Sequence, residues 1–256
     1  MGRPHIEFID ALGVACVPIT DGPFAGASRR MLSADADGGG DSTALVHVPP
    51  AWSGDLAAST RPMEIFVLDG TLTVAHSVCR PGVHAFVPAR HAQAKAESPG
   101  GCAALVMVEP DRAPDDDMAV VDSNDMPWTG PPVDGPVPQG IVVKRLRVAP
   151  GTGDVSWIAA VVPGWRESRA EVHETIEECL MLRGDILLGR RGVMGPGSYF
   201  WRPPRVEHGP MCSLSGGLFF FRSKGGGLTT RHVPVPDWKE TVARYTATQP
   251  YFGRAL

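Results

Sequence analysis

The sequence predicts an all-β fold of two domains in tandem with a short C-terminal helical tail, and three observations carry that prediction. Glycine (30) and proline (25) make up about a fifth of the 256 residues, a proportion above average usage that favours short strands and tight turns over long helices. Brief runs rich in β-branched, aromatic and other apolar residues recur between turn residues, and no helical periodicity longer than about two turns interrupts them. The chain is also written twice, which is the most informative of the three.

The repeat is read from five matches in one order. PITDGPFAGASRRML (18–32) lies on PPVDGPVPQGIVVKRL (131–146), with the DGP triplets 113 positions apart, and PPAW ending at Trp52 matches VPGW ending at Trp165 at the same offset. MEIFVLDG (63–70) then matches EECLMLRG (177–184), RPGVHAFVP (80–88) matches GPGSYFWRP (195–203), and GGCAALVMV (100–108) matches GGLFFFRSK (216–224). These imply domains over 1–118 and 119–235, joined by the acidic, proline-containing connection EPDRAPDDDMAVVDSNDMPW. Each is of ordinary domain size.

Within the first copy TALVHV, EIFVLDGTLTV, VHAFVP and CAALVMV read as strands, and within the second VSWIAAVV, ECLMLRGDILL, SYFWRP and GLFFFR. This is the rhythm of a sandwich or barrel. Residues 236–256 have no counterpart in the first copy; WKETVARY is expected to form a short helix capped by Asp237. The glycine triplets Gly38 to Gly40 and Gly225 to Gly227 lack the strand, helix and lysine of a phosphate loop and read as turns.

A formal charge of −4 and a pI near 6.1 offer no basic field for a phosphate backbone, so nucleic acid is not an expected partner. The N-terminus has acidic residues where a secretory signal carries its apolar core, and no run approaches the roughly 18 apolar residues that span a bilayer. A cytoplasmic protein without membrane contact is expected. The five cysteines, Cys16, Cys79, Cys102, Cys179 and Cys212, are odd in number and never spaced CxxC, which points to buried free thiols.

The stretch EVHETIEECLMLRGD (171–185) sets a histidine and four glutamates against an apolar run. Burying that charge uncompensated would cost on the order of several kcal/mol per group, so something should neutralise it. The spacing bears on what. His173, three residues, Glu177, six residues and Gly184 follow the latter part of G(X)5HXH(X)3,4E(X)6G; Gly197, five residues, Pro203, then His208 follow G(X)5PXG(X)2H(X)3N, with Arg205 for its inner glycine and Cys212 for its asparagine. In these motifs the chain resembles the cupin superfamily, and in its duplication a bicupin with ChrR-like cupin domains.

The resemblance implies two jelly-roll β-barrels and, in the second, a divalent metal held by His173, Glu177 and His208. Alternate strand residues share a face, so Glu171, which stands where the family has its first histidine, points the same way. It is either a fourth ligand or a group facing substrate or solvent. Two imidazoles and a carboxylate with open positions suit Fe(II) first, with Mn, Ni and Zn accepting similar ligands.

Glu178 has the opposite parity and is expected to face out, unless a bulge exchanges it with Glu177. In the first copy, anchoring on Gly70 and Pro88 puts Ala57, Ser59, Met63 and Gln93 at the ligand positions, with His84 and His91 out of register. That half is expected to hold no metal.

Tyr199, Trp201, Arg202 and Arg205 surround the second motif. Tyr199 and Arg205, with Glu171, are the catalytic candidates, an arginine gripping a substrate carboxylate or enolate. Cys179 and Cys212 share strand parity with Glu177 and His208. His5, His47, His76 and His232 have no partner in view and read as exposed or satisfied by backbone.

The expected function is a metal-dependent enzyme, an Fe(II) dioxygenase acting on a small oxygenated or enolisable molecule. The alternatives are a non-catalytic metal or ligand sensor working through a protein partner, and a redox-neutral lyase or isomerase. Cupins often pair, so a homodimer is the expected assembly.

Overall fold

A computed structural model of the chain describes residues 2–36, 40–91, 94–110, 117–131 and 139–248. Gln93, Gly38 and Gly39, the triplet at 134–136 and residues 249–256 of the tail lie outside them. By contacts the chain divides into two compact units, Asp10–Pro127 with Met1–His5, and Trp128–Leu256 with Ile6–Ile9.

The large sheet of the first unit runs, neighbour to neighbour, Ala119–Asp122, Val83–Val87, Met63–Gly70, Cys102–Val108, Ser42–Val48, Ser28–Ala34 and Val17–Pro18. That of the second runs Ile6–Asp10, Ser198–Arg202, Ile176–Gly184, Gly217–Lys224, Val155–Val161 and Ile141–Val148. Each unit adds a smaller sheet of four strands: Trp52–Asp55, Lys95–Ser98, Leu72–Val74 and Ser77–Cys79 in one, Arg166–Glu167, Met211–Cys212, Ile186–Leu188 and Val193–Met194 in the other. The second unit also carries the antiparallel pair Ala170–His173 with Thr230–Val233.

The two units share backbone detail. The pairing of Met63–Gly70 with Cys102–Val108 shifts register between Ala103 and Ala104, and the equivalent pair shifts between Met181 and Arg183; Ser28–Ala34 and Ile141–Val148 shift likewise at Met31/Ser33 and Arg145/Arg147. Each bulge bends its strand at the same place in both copies. Gly70 and Gly184 both have positive φ, and a Cβ at either would meet a backbone carbonyl oxygen, Gly101 at 2.2 Å and Gly216 at 1.9 Å. Only glycine fits there.

One core packs Val46, Ile65, Val67, Ala85 and Val106, the other Trp157, Met181, Phe200 and Phe219. The alternate residues on the central strands, among them Phe66 and Leu105, and Leu180 and Phe220, are buried too. That is why these strands read as nearly continuous apolar runs rather than alternating ones.

The tail helix, Trp238–Thr248, lays Val242 and Tyr245 on Leu187 and Cys212. Asp237, expected as its cap, pairs its carboxylate with Arg190. Among the described residues no helix is long and apolar enough to cross a membrane. All five cysteines are free, Cys16 exposed and the other four buried. Burial pushes the Cys79 and Cys212 thiols up to about 11 and Cys102 to about 12, so they stay protonated and unreactive.

Candidate metal centre

The short strand Ala170–His173 is held on both flanks. Thr230–Val233 pairs with it on one side; on the other, Glu171 and His208 exchange backbone hydrogen bonds at 2.7 and 3.0 Å, and Arg205 N donates to His173 O at 2.7 Å. Glu171 and His173 therefore share a face and stand beside His208. Glu177 enters from Ile176–Gly184, where its register partners are Arg202 and Ser223.

Glu171, His173 and His208 each bring a ligand atom within 4.8 Å of the others, and Glu177 flanks both imidazoles, one carboxylate oxygen toward each. His173 Nε2 lies 3.7 Å from Glu177 Oε1 and 3.9 Å from Glu171 Oε2. His208 Nε2 lies 3.7 Å from Glu177 Oε2 and 4.0 Å from Glu171 Oε2. These separations are too long for hydrogen bonds. They are no longer than twice the roughly 2.1 Å that separates a divalent cation from such ligands.

The tautomers agree with that reading. His173 Nδ1 faces the Thr229 carbonyl at 3.0 Å, and His208 Nδ1 faces the Val206 carbonyl at 3.2 Å. A carbonyl only accepts, so each Nδ1 carries the proton and each Nε2 turns a lone pair to the cluster. His173 Nε2 is buried there without a hydrogen-bond partner, an orphan that a cation would satisfy.

Charge follows the same logic. Burial, reinforced by Arg202 and His173, lowers His208 to about 4, so it is a neutral imidazole at pH 7. Burial acts against the Glu177 charge, and the imidazoles in their protonated form together with Arg202 hold the carboxyl below its ordinary value; with neutral imidazoles that support comes from Arg202, whose Nη1 donates to Glu177 Oε2 at 3.1 Å. Glu171 is pushed up to about 8, by burial first and then by Glu177 and Glu167. Arg202 bonds Glu177 directly, whereas Arg169 and Arg202 act on Glu171 without a hydrogen bond and leave its carboxyl raised. Two imidazoles with two carboxylates fit a divalent ion such as Fe(II), Mn, Ni or Zn.

Other expected residues stand elsewhere. Glu178 does not face out: it is buried on the opposite side of its strand, where Tyr199 Oη donates to its Oε2 at 2.6 Å and Arg222 pairs with its Oε1 at 2.5 Å. Strand alternation separates it from Glu177, but both faces of this sheet are covered. Tyr199 goes with Glu178 and so turns from the cluster. Arg205 is 78% exposed and pairs with Glu174, so it does not line the site. Cys179 packs in the core beside Met181, and Cys212 lies under the tail helix.

Sequence reasoning passed over a second group. Glu167, Glu171 and His232 each bring a ligand atom within 4.8 Å of the others, with His232 Nε2 3.5 Å from Glu171 Oε1 and 3.7 Å from Glu167 Oε2. His232, read as having no partner, sits directly opposite Glu171 on the paired strand. Arg169 already grips Glu167 with a two-point fork at 2.9 and 2.8 Å. No motif spacing reaches His232; only strand pairing puts it there.

In the first unit Met63 is fully buried in the core and Ser59 Oγ bonds to Arg61 O. Ala57 sits in the turn Leu56–Ala58, capped by Asp55. His84, out of register for a metal, pairs at 2.7 Å with Glu64, the buried positional equivalent of Glu178. Among the described residues the first unit contributes none of the potential ligand groups.

Residues 98–227 match a family model described as Domain of unknown function (DUF4437). No curated protein matches the chain. Among solved structures, a candidate dioxygenase from Nostoc punctiforme PCC 73102 is similar at a TM-score of 0.75 and 20% identity, covering 91% of this chain and 92% of that one. A cupin 2 conserved barrel domain protein from Leptotrichia buccalis is similar at 0.55 and 11%, over 86% and 97%. Oxalate decarboxylase from Bacillus subtilis is similar at 0.52 and 9%, over 98% and 85%. At these identities the likeness speaks for the fold, which is that of the cupins.

Proposed function

Because the chain belongs to the DUF4437 family, whose description assigns no activity, we propose its function from the site: a bicupin in which the second barrel is a metal-dependent oxygenase for a small oxygenated molecule. The observation that carries this reading is that each of two imidazole Nε2 atoms lies within 4.0 Å of an oxygen of both Glu171 and Glu177. His173, His208 and Glu177 hold the ion, with Fe(II) the metal of choice. Bound there, it supplies Lewis acidity and one-electron chemistry toward dioxygen.

The protein's own part is to hold and to shield. The carbonyls of Thr229 and Val206 fix the imidazole tautomers, and burial of both rings excludes water from the ligand side. Glu171, less buried than the other three with 18% of its side chain exposed, either completes the shell or takes a proton from the substrate at a carboxylate oxygen. The similarity to a candidate dioxygenase supports this assignment.

Oxygen uptake that depends on added Fe(II), measured with a panel of diketones, catechols and hydroxy acids, is the expected result. Elemental analysis should find one equivalent in the wild type, and His208→Ala should lower affinity by at least about 100-fold, beyond the 10–100-fold typical of losing an outer-shell partner. Full metal retention by that variant would remove the site. The likeness to oxalate decarboxylase favours a second reading, a redox-neutral lyase on the same ion. Turnover of the panel without oxygen would establish it in place of the oxygenase.

A further inference from the structure

We propose that Glu7, acting through Arg202, sets the position of the ligand carboxylate Glu177 and the net charge beside it, which makes the first strand of the chain part of the metal centre. The proposal rests on the metal reading above. Ile6–Asp10, Ser198–Arg202 and Ile176–Gly184 are consecutive strands of one sheet, and one residue from each forms a line across it. Arg202 Nη1 donates to Glu177 Oε2 at 3.1 Å, while its Nη2 lies 3.5 Å from Glu7 Oε1.

Arg202 is held firmly enough to transmit position. Its side chain is 2% exposed, and its guanidinium stacks 3.6 Å above the Phe200 ring. A guanidinium keeps its proton in any protein environment. Beside a ligand carboxylate, a permanent cation helps and harms at once. Its hydrogen bond fixes the carboxylate's rotamer, as partners behind metal ligands generally do. Its charge also repels an incoming metal and draws Glu177 away from it.

Glu7 answers the second effect. Its carboxylate neutralises Arg202 through the other terminal nitrogen, so the arginine orients without opposing the ion. Arg191 Nε, 3.0 Å from Glu7 Oε2, anchors Glu7 in turn. Glu7 and Arg202 are positioning residues, since neither is among the groups that meet at the cluster.

The test uses Co(II) alone as probe, its visible absorption reporting ligand geometry and its titration the affinity, in the full-length protein. Glu7→Gln should bind Co(II) about 10–100-fold more weakly, the range for outer-shell losses, with a shifted absorption band. In an Arg202→Gln background, the same Glu7→Gln change should have no further effect. Wild-type affinity and spectrum in Glu7→Gln, or an equal loss in the Arg202→Gln background, would overturn the relay and leave the metal site standing. A wild type that takes up no Co(II) would overturn both. Glu7→Asp, which keeps the charge and shortens the arm, decides the matter by the same readouts should Glu7→Gln unfold.

Discussion

The Tyr199 hydroxyl donates to the Glu178 carboxylate at 2.6 Å, back to back with the neighbouring Glu177 beside the candidate metal cluster. Two adjacent glutamates thus serve opposite faces of one strand. Glu178 spends its charge on Tyr199 and Arg222, so this pair belongs to the packing of the sheet.

Tyr199→Phe should therefore lower stability by about 1–3 kcal/mol, as when a buried acceptor loses a partner, with metal stoichiometry and affinity unchanged. Denaturant unfolding and a Co(II) titration on the same preparation check both halves. A loss of metal with unchanged stability would return Tyr199 to the site.

How much of this was legible in the sequence depends on the kind of spacing involved. Gly70 and Gly184 mark a close approach that admits only glycine, so the repeat survived at those positions and could be aligned. His173 and Glu177 lie close in sequence, and His208 follows a recognisable turn motif. Glu167, His232 and Glu7 join the same neighbourhood only through pairing between strands far apart in the chain, and nothing local announces them. Glu178 was misplaced because alternation tells which face a side chain takes, not whether that face is wet.

Arg205 is a case of the motif outlasting its residue. It occupies the pattern's inner glycine position with φ 69, and Arg90, its equivalent in the first copy, has φ 53. Their amides do the same work, Arg205 N bonding to His173 O and Arg90 N to Ser59 O. The left-handed conformation costs a non-glycine residue about 1–2 kcal/mol, part of which glycine gives back through a freer unfolded chain. Arg205→Gly should raise stability by about 0.5–1 kcal/mol after that offset, because the exposed pair with Glu174 adds little. Unfolding midpoints at equal denaturant slope measure it, and a destabilised variant would show that the Arg205 side chain matters after all.

Asp185 ties the tail helix to the second unit and gives the protein an acid-sensitive joint. Its carboxylate accepts from Leu214 N at 2.9 Å, Ser215 N at 2.8 Å, and the hydroxyls of Ser215 and Tyr245. Burial opposes the charge, but these donors outweigh it and hold the carboxyl below its ordinary 3.8. A carboxyl whose folded value is depressed stabilises the fold above its unfolded value and loses that contribution as pH falls through the folded one. The joint should be intact at pH 5 and above and weaken below about 3.8, the unfolded reference value. Tyr245→Phe should cost about 1 kcal/mol at pH 7 and raise amide exchange in Trp238–Thr248. Asp185→Asn should remove the contribution at every pH and flatten the acid limb of the stability profile. Exchange in the helix that is unchanged by either variant, or by acid, would show that Val242 and the apolar face alone hold it down.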